Sequence, residues 1–456
     1  MTNMNRENMK CQDPLIRITN FDEVALGYTY EQAMNEASRC LQCKKPLCVS
    51  GCPVNINIPK FIKEILDNNL ENALQTINEA NLFPSICGRV CPQESQCEAL
   101  CVLNKKSTSV AIGNLERFVG DNSTFKMVEL KEEIAKKVAI IGSGPSGLAC
   151  AYELKKMGYD VTIFEALHIT GGVLAYGIPE FRLPKKLVQD EVDKLVKIGV
   201  KIKTNYVVGQ TITIKQLEED GFQAFYIASG AGLPKFMGIP GENLIGVFSA
   251  NEYLTRINLM KAYQNTSQTP MYNSKNVVVI GGGNVAMDAA RSAKRSGAEN
   301  VYVVYRRKKE DMPARVEEIH HALEEGIEFF FASNPIAIHK DDNNKVNGIE
   351  CITMDLSTID EFGRNNPIPI ANSNFNIQCD TVIMALGNHP NPIIKKNLTN
   401  LEVNKNGTII VNEKQQTSIS NIFAGGDIVT GAATVILAMG AGKTASIAID
   451  EYLKSK

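Results

Sequence analysis

One local pattern occurs twice in this sequence: an apolar run, a glycine-rich turn, a helical stretch and a second apolar run. The first copy is KVAIIGSGPSGLACAYELKKMGYDVTIFEA and the second is NVVVIGGGNVAMDAARSAKRSGAENVYVVY. A strand, a tight turn, a helix and a second strand in this order are typical of a parallel nucleotide-binding sheet. The repeat therefore predicts an α/β chain with two Rossmann-like domains.

The first turn has the spacing G-x-G-x-x-G and directly follows an apolar run. Its first glycine permits the tight bend, its second lets the backbone approach a pyrophosphate, and its third allows helix and strand to pack closely. The helix N-terminus then offers free N–H groups to the anion. An acid at the end of the next strand can accept hydrogen bonds from ribose hydroxyls. The predicted contacts are Gly142, Ser143, Gly144, Pro145, Ser146, Gly147 and Glu165.

The second turn has the spacing G-x-G-x-x-A, and its second strand ends in two arginines where the first turn has an acid. A 2′-phosphate requires a cation there, which favours NADP over NAD. The ordinary alternative is a solvated basic run. Arg315 is a candidate for a third phosphate contact, the alternative being a pair with Glu317 or Glu318. The predicted contacts are Gly282, Gly283, Asn284, Val285, Arg306, Arg307 and Arg315.

Two dinucleotide sites indicate a flavoprotein that binds FAD at the first turn and NADPH at the second. The C-terminal stretch IFAGGDI places Asp427 after an apolar run and two glycines. An acid there can bind the ribityl chain of a flavin. The sequence thus predicts an FAD-binding domain over 126–250, an inserted NADPH-binding domain over 251–374, and the rest of the FAD-binding domain over 375–456.

Residues 1–125 form a different kind of unit, in which helical spacing alternates with cysteines. Eight of the twelve cysteines fall between Cys40 and Cys101. The first run is C-x2-C-x4-C-x3-C-P and the second is C-x3-C-P-x5-C-x3-C. So dense a block in a large chain favours metal binding over disulfides. We therefore predict a small all-α domain that carries the cysteines.

The cysteine spacing favours two [4Fe–4S] clusters. Structural zinc usually shows two C-x2-C-like pairs, and only one is present. Cys40, Cys43 and Cys48 suit three corners of one cubane, whereas Cys52, which precedes a proline, is expected to reach a second cluster. Eight thiols are the number that two clusters need. Zinc and structural free thiols are the alternatives.

The overall composition excludes several partners. The net charge is −2, so nothing indicates a nucleic acid. The first ten residues are polar and unlike a signal peptide. No uncharged apolar run approaches the roughly 18 residues of a membrane span. We expect a cytoplasmic protein without membrane contact, and a homo-oligomer is compatible with the sequence.

Several long motifs resemble one protein family: EASRCLQCKKPLC, ICGRVCPQESQCEALC, IGNLERF, GGVLAYGIPEFRLPK and FAGGDIVTGAATVILAMGAGK. The chain resembles the small subunit of NADPH-dependent glutamate synthase. It is similar also to the large subunit of the electron-bifurcating NADH-dependent ferredoxin:NADP oxidoreductase. The resemblance covers essentially the whole chain.

This resemblance implies a set of ligands and flavin contacts. One cluster would be held by Cys40, Cys43, Cys48 and Cys101. The other would be held by Cys52, Cys91, Cys97 and a non-cysteine ligand, Glu116. The spacing alone would choose Cys87 as that fourth ligand, and it is kept as the alternative. The flavin contacts implied by the resemblance and by the tail, with one further glycine, are Gly172, Val173, Leu174, Arg182, Gly230, Gly426, Asp427, Ala433, Thr434 and Val435.

The implied activity is electron transfer from NADPH through FAD to the clusters, and no side chain is predicted to act as a catalytic acid or base. Three acceptors are considered: a glutamate synthase large subunit, a flavin and iron–sulfur partner subunit in a bifurcating enzyme, or small acceptors such as ferric ion, oxygen or disulfides. No C-x-x-C follows Cys101, so dithiol exchange is not expected. An iron–sulfur scaffold with degenerate nucleotide sites is disfavoured because both glycine turns are intact.

Overall fold

The N-terminal unit is built from helices. The structure, a computed structural model, describes residues 5–124, 129–361 and 363–456. The predicted boundary between 125 and 126 lies outside these ranges. The helices of this unit are α1 (Pro14–Arg17), α2 (Tyr30–Ser38), α3 (Leu47–Gly51), α4 (Ile58–Leu66), α5 (Leu70–Asn78), α6 (Pro84–Val90) and α7 (Ile112–Asn122), with 3-10 turns at Gln93–Ser95 and Val102–Lys105.

Helices α4 and α5 form one continuous helical pattern in the sequence, yet the structure divides it. The chain turns at Asn68, whose φ is +57°. Asparagine adopts this left-handed conformation more readily than most residues, so the break has a local cause. Phe61, Ile65 and Ile77 from the two helices are fully buried in the core of the unit.

The first nucleotide-binding unit contains a five-stranded parallel sheet. Its order is β15-β4-β1-β2-β3, in which β15 (Ile422–Ala424) comes from the C-terminal part of the chain. The apolar run Val138–Ile141 is buried on both faces, as expected for a central parallel strand covered by helices. The elements here are β1 (Ile134–Ile141), α8 (Pro145–Lys156), β2 (Tyr159–Phe164), α9 (Val173–Tyr176), α10 (Lys185–Lys197), β3 (Lys201–Lys203), α11 (Ile214–Glu219), β4 (Phe222–Ile227) and β5 (Leu233–Pro234).

The second unit has a parallel sheet of order β6-β13-β7-β8-β9 and an antiparallel sheet of order β10-β11-β12. Two strands, β6 and β13, lie outside the predicted range 251–374. Short apolar runs do not reveal their pairing partners, because the pairing is long-range. The elements are β6 (Val247–Ser249), α12 (Ala250–Asn258), β7 (Asn276–Ile280), α13 (Asn284–Arg295), β8 (Asn300–Val304), a 3-10 turn (Lys309–Asp311), α14 (Val316–Glu324), β9 (Glu328–Phe330), β10 (Ser333–Lys340), β11 (Val346–Ile359), β12 (Asn365–Ile377) and β13 (Thr381–Met384).

The chain then returns to the first sheet and ends in its longest helix. Strand β15 pairs with β4, which completes the first sheet. The elements are β14 (Asn388–His389), which pairs with β5, α15 (Ile393–Asn397), β15 (Ile422–Ala424), α16 (Asp427–Thr430) and α17 (Val435–Lys454). The predicted fold class, a helical unit followed by two nested Rossmann-like units, is confirmed. Within the described ranges, no helix has the length and apolar character that a membrane crossing demands.

Candidate functional site

The first glycine turn joins β1 to α8 and leaves an open face. Gly142 has a φ of +104°, and a Cβ there would lie 2.5 Å from the carbonyl oxygen of Ala228. A Cβ on Gly147 would lie 2.0 Å from the oxygen of Gly142, so strand and helix pack as closely as the motif predicts. A Cβ on Gly144 would meet nothing within 4 Å. The space over the N-terminus of α8 is therefore free for an anion.

The acid at the end of β2 is fixed against this turn. One carboxylate oxygen of Glu165 accepts hydrogen bonds from Ser143 N at 2.9 Å and Ser143 Oγ at 2.5 Å. The other oxygen accepts from Leu167 N at 2.8 Å. Glu165 is buried and thus holds the turn in place. Its contact with a ribose stays a prediction.

Two further predicted segments converge on the same turn. Gly172 has a φ of +56°, and a Cβ there would lie 2.9 Å from Gly144 Cα. A Cβ on Gly426 would lie 3.1 Å from Ser146 Cβ. The first turn, the GGVLAYG segment and the IFAGGDI segment therefore surround one space.

Two acidic groups around this space, Tyr176 and Asp427, have raised pKa values. Burial, followed by Asp427 and Glu165, raises the pKa of the Tyr176 phenol to about 12. Burial also raises the pKa of Asp427, whose Oδ1 accepts a hydrogen bond from Ala433 N at 3.3 Å. The other predicted contacts lie at helix starts or in the adjoining chain: Pro145 begins α8, Val173 and the buried Leu174 begin α9, Thr434 caps α17, Val435 begins it, and Gly230 has a φ of +68°.

The second turn has the same construction. Gly281 has a φ of +137°, and a Cβ there would lie 2.4 Å from Ala385 O. A Cβ on Gly282 would lie 2.5 Å from the Tyr305 ring. Gly283 caps α13, and the half-buried Asn284 and Val285 form its first turn. The N-terminus of α13 thus follows a glycine turn as the sequence predicts, and the binding of an anion there stays a prediction.

The three arginines predicted to contact a phosphate differ in their surroundings. Arg306 is exposed and makes no hydrogen bond or ion pair with any described residue. Arg307 Nε donates to Asn365 O at 2.7 Å, and its Nη2 lies 3.6 Å from an Asp360 carboxylate oxygen. Of these two, Arg306 therefore offers the uncommitted guanidinium near the end of β8.

Arg315 is directed toward the N-terminal unit. Its Nη1 donates to Arg89 O at 2.7 Å and its Nη2 to Gln93 Oε1 at 2.9 Å. Nη2 also lies 3.2 Å from Glu317 Oε2, which is the alternative pairing that the sequence suggested. The backbone N–H of Arg315 donates to Asn284 Oδ1 at 3.0 Å.

The sequence predicts Arg182 beside the flavin, but its guanidinium contacts the second nucleotide-binding unit. Its Nη1 lies 2.7 and 2.8 Å from the two carboxylate oxygens of Asp288, on α13. Its Nε lies 3.3 Å from Glu318 Oε2, on α14. The prediction of a flavin contact stays untested, and the side chain is committed to these two acids.

Four thiols of the N-terminal unit form an outer group, which comprises Cys40, Cys43, Cys48 and Cys101. All four line one pocket, together with Leu41 and Leu47. Burial, followed by the charges of the other three thiols, raises the pKa of Cys48 to about 12. Leu41 and Leu47 are 53% and 50% exposed, so this group lies near the surface.

Three thiols and a carboxyl form an inner group, which comprises Cys52, Cys91, Cys97 and Glu116. Burial, followed by neighbouring acids that include Glu116, raises the pKa of Cys97. Glu116 is 6% exposed, and burial raises its pKa to about 8 although a hydrogen bond from Asn81 opposes the shift. No cation pairs with this carboxyl in the described part of the chain, so a bound cationic centre would satisfy it. The donor set therefore fits an iron–sulfur cluster.

Cys87 lies beside the inner group. Its pKa is raised by a hydrogen bond with Cys91, then by burial and by the charges of Cys91 and Glu116. Among the described residues, no three His, Cys, Asp or Glu side chains are close enough to hold a single metal ion. Both groups are thus defined by shared surroundings, and Cys87 stays an alternative to Glu116.

Residues close to the inner group contact the first nucleotide-binding unit, which is the predicted flavin-binding unit. Leu82 N lies 3.3 Å from Met439 Sδ on α17, and a Cβ on Gly440 would lie 2.9 Å from Val54 Cγ1. Cys87 and Cys91 belong to the same buried apolar cluster as Leu148 on α8 and Met439 on α17. Helix α3 carries Cys48 of the outer group, and Cys52 of the inner group is its C-cap. The two groups are thus adjacent, and Cys91 of the inner group belongs to the apolar cluster that includes residues of α8 and α17.

Residues 17–128 match a family model described as dihydropyrimidine dehydrogenase domain II, 4Fe-4S cluster. Residues 136–450 match the pyridine nucleotide-disulphide oxidoreductase family.

Individual relatives agree with these two matches. The chain is 36% identical to the glutamate synthase [NADPH] small chain of Azospirillum brasilense, across 96% of this chain and 93% of that protein. It is 35% identical to the NADPH-Fe(3+) oxidoreductase subunit beta of Geobacter sulfurreducens, across 89% of this chain and 63% of that protein. The structure of Mycobacterium tuberculosis FprA in complex with NADPH is similar with a TM-score of 0.60, at 19% identity, across 70% of this chain and 85% of that one.

Proposed function

The chain belongs to the pyridine nucleotide-disulphide oxidoreductase family and, within it, to the glutamate synthase small-chain group, and from this premise we propose that it passes electrons from NADPH through FAD to two [4Fe–4S] clusters. A flavin takes electrons in pairs from a nicotinamide and releases them singly, which is what one-electron clusters require. The protein supplies binding, spacing and electrostatics.

The chain's own residues would divide the work of binding. The backbone at Gly142–Gly147 holds the FAD pyrophosphate, while Glu165 fixes that turn. The backbone at Gly282–Asn284 holds the NADPH pyrophosphate, and Arg306 neutralises the 2′-phosphate. The outer group holds one cluster, and the inner group holds the other.

One observation supports this proposal above the others: Cys91 of the inner group shares a buried apolar cluster with residues of α8 and α17, and Leu82 N, just before α6, lies 3.3 Å from Met439 Sδ on α17. The outer group lies beyond the inner group, under the exposed Leu41 and Leu47. This arrangement orders the two groups from the flavin-binding unit toward the surface. Electrons leaving at the outer group would reach a partner or an acceptor in solution.

Dye reduction tests the proposal. Purified protein, loaded with iron, sulfide and FAD, is mixed with NADPH and ferricyanide under argon. We expect NADPH oxidation that requires both the flavin and the dye. If loaded protein oxidises no NADPH with any acceptor, the proposed function is wrong.

We propose that the acceptor is a partner subunit of the glutamate synthase large-chain type. The chain covers 93% of its small-chain relative, which supports this choice. Affinity purification from the native cell, followed by identification of the co-purifying chain, separates this acceptor from a flavin-containing bifurcating partner and from solitary action. None of the twelve cysteines, which all lie in described residues, forms a disulfide, and this suits the reducing cytoplasm that we propose as the location.

A further inference from the structure

A short segment of the first nucleotide-binding unit, the proposed flavin-binding unit, contacts the second unit, the proposed NADPH-binding unit. The segment GGVLAYGIPEFRLPK packs its first glycines on the flavin turn, since Gly172 lies against Gly144. Ten residues later its Arg182 makes the paired contacts with Asp288 already described, at 2.7 and 2.8 Å. Asp288 lies in α13, the helix whose N-terminus carries the second glycine turn. One stretch of chain therefore contacts both the first glycine turn and α13, the helix that follows the second glycine turn.

The neighbouring Phe181 is held by two arginines of α13. Its ring centroid lies 4.7 Å from the Arg291 guanidinium and 4.0 Å from that of Arg295. Both arginines form ion pairs with Glu325 at 2.7 Å. Cation–π contacts of desolvated guanidinium groups are stronger than exposed ones. Phe181 thus packs against two arginines of the second unit that are themselves held by ion pairs.

The N-terminal segment also contacts Phe181 and the acid that pairs with these arginines. Val24 N donates to Phe181 O at 2.9 Å. Arg17, which is buried, donates from Nε to Glu325 Oε1 at 2.8 Å and from Nη2 to Glu324 Oε2 at 2.7 Å. All three units therefore meet at Phe181 and Arg182.

Rotation of the NADPH-binding unit would separate these buried charges. Arg182 is only 8% exposed, and Asp288 is buried as well. Separating such a pair inside the protein leaves each charge without its partner and without water, which is strongly unfavourable. The pair therefore favours a single relative orientation of the two glycine turns.

We propose that Arg182 is a positioning residue, which through Asp288 fixes the nicotinamide site relative to the flavin site. The inference rests on the proposed function, because it concerns the transfer of electrons between these two sites. It assigns Arg182 a role different from the flavin contact that the sequence suggests. A displacement of about 1 Å between reacting groups can lower a rate by roughly 100-fold.

The test compares four forms of the fully loaded protein: wild type, Arg182→Met, the double variant Arg182→Met with Asp288→Asn, and Lys186→Met as a matched control. The Lys186 side chain is 81% exposed and pairs only with Asp190 in the described structure. The double variant removes both charges of the Arg182–Asp288 pair, and Glu318, the other acid beside Arg182, keeps its ion pair with Arg291. For each form we would measure bound FAD, the NADP⁺ dissociation constant, the thermal midpoint and the rate of flavin bleaching at saturating NADPH.

We expect Arg182→Met to keep its FAD and its NADP⁺ affinity while the bleaching rate falls by about tenfold or more. The double variant should regain thermal stability but keep the low rate. Lys186→Met should match the wild type. Loss of FAD from Arg182→Met would show a flavin contact and overturn the proposal, and so would a double variant with the wild-type rate.

A second measurement separates this proposal from the proposed function. Hydrogen exchange of α13 and of residues 178–183 requires no NADPH oxidation. We expect faster exchange in both regions in the two Arg182 variants, but not in Lys186→Met. Unchanged exchange would overturn the positioning role even if NADPH reduces the flavin, whereas wild-type flavin that NADPH does not bleach would overturn only the proposed function.

Discussion

The amide nitrogen Nδ2 of Asn81 lies 2.5 Å from Oε1 of Glu116, inside the N-terminal unit. The carbonyl oxygen of the same amide accepts a hydrogen bond from the Cys87 thiol at 3.5 Å. Both candidates for the fourth ligand of the inner cluster are therefore held by one side chain. If one of them binds iron, as we propose, Asn81 would still hold the other.

The fourth ligand can be identified by substitution. We expect Glu116→Ala to change the electron paramagnetic resonance signal of one cluster and to lower its iron content, because the carboxyl is the donor without a cationic partner among the described residues. Cys87→Ala is the matched control and should leave both signals unchanged. If Cys87→Ala alone disturbs a cluster, Cys87 is the ligand.

The preference for NADPH should depend on Arg306 more than on Arg307. Removing a charged hydrogen-bond partner costs about 1.5–3 kcal/mol, so Arg306→Ala should raise the KM for NADPH by about tenfold or more. The KM for NADH should change little. Arg307→Ala should mainly lower the thermal midpoint, because its Nε hydrogen bond to Asn365 O is lost. Equal changes in both KM values for Arg306→Ala would contradict a 2′-phosphate contact.

Two glycines of the first turn should respond differently to an added methyl group. Gly144→Ala has free space for its Cβ, so the protein should fold and lose FAD affinity, because the methyl occupies the predicted pyrophosphate position. Gly142→Ala meets Ala228 O at 2.5 Å with a φ of +104°, and strain of this kind costs about 1–3 kcal/mol. Thermal unfolding and flavin content, measured on both variants, separate the effects. Full FAD content in Gly144→Ala would contradict the site.

Lowering the pH should weaken the interface around α14, which consists of the contacts of Glu318 with Arg182 and Arg291. Burial alone would raise the pKa of Glu318, but Arg182 and Arg291 outweigh it and lower the value to about 2. Stability from such a carboxylate is present above its ordinary pKa of 4.5 and is lost as pH falls toward the folded value. This shift in the pKa of Glu318 corresponds to roughly 3 kcal/mol in the free energy of unfolding.

Urea unfolding between pH 6 and pH 2.5 would check this expectation. The free energy of unfolding should decrease as the pH falls below 4.5, and Glu318→Gln should flatten that decrease. At higher pH the opposite contribution comes from Asp288, because burial raises its pKa to about 6 and protonation then stabilises the folded state. Lys186→Met serves again as a surface control, because the exposed pair of Lys186 and Asp190 lies outside the interface around α14. An equally steep decrease in Glu318→Gln would contradict the assignment.

Local patterns predicted the elements that bind nucleotides, because each glycine turn and its flanking strand and helix are contiguous in the sequence. The position of Glu165 at the end of β2 followed from the same pattern. The resemblance, rather than the spacing, led to Glu116. Burial raises the pKa values of the Cys52 and Cys97 thiols, and the charge of Glu116 helps to raise them. Its role as a ligand stays a prediction.

Long-range contacts could not be predicted in this way. Nothing in the stretch NLFPS distinguishes Asn81 as a partner of Glu116, which lies 35 residues further along the chain. The commitment of Arg307 to Asn365 depends on a hairpin whose position only the folded chain reveals. The same holds for Arg182, whose partner Asp288 is 106 residues away.

An anaerobic titration with NADPH tests the central claim most directly. The fully loaded protein receives NADPH in steps while flavin absorbance and the paramagnetic resonance of the clusters are recorded on the same sample. We predict that the flavin bleaches and that a reduced-cluster signal then appears without any added mediator. Bleaching of the flavin with clusters that stay oxidised, although dithionite reduces them, would contradict electron transfer from NADPH through FAD to the clusters.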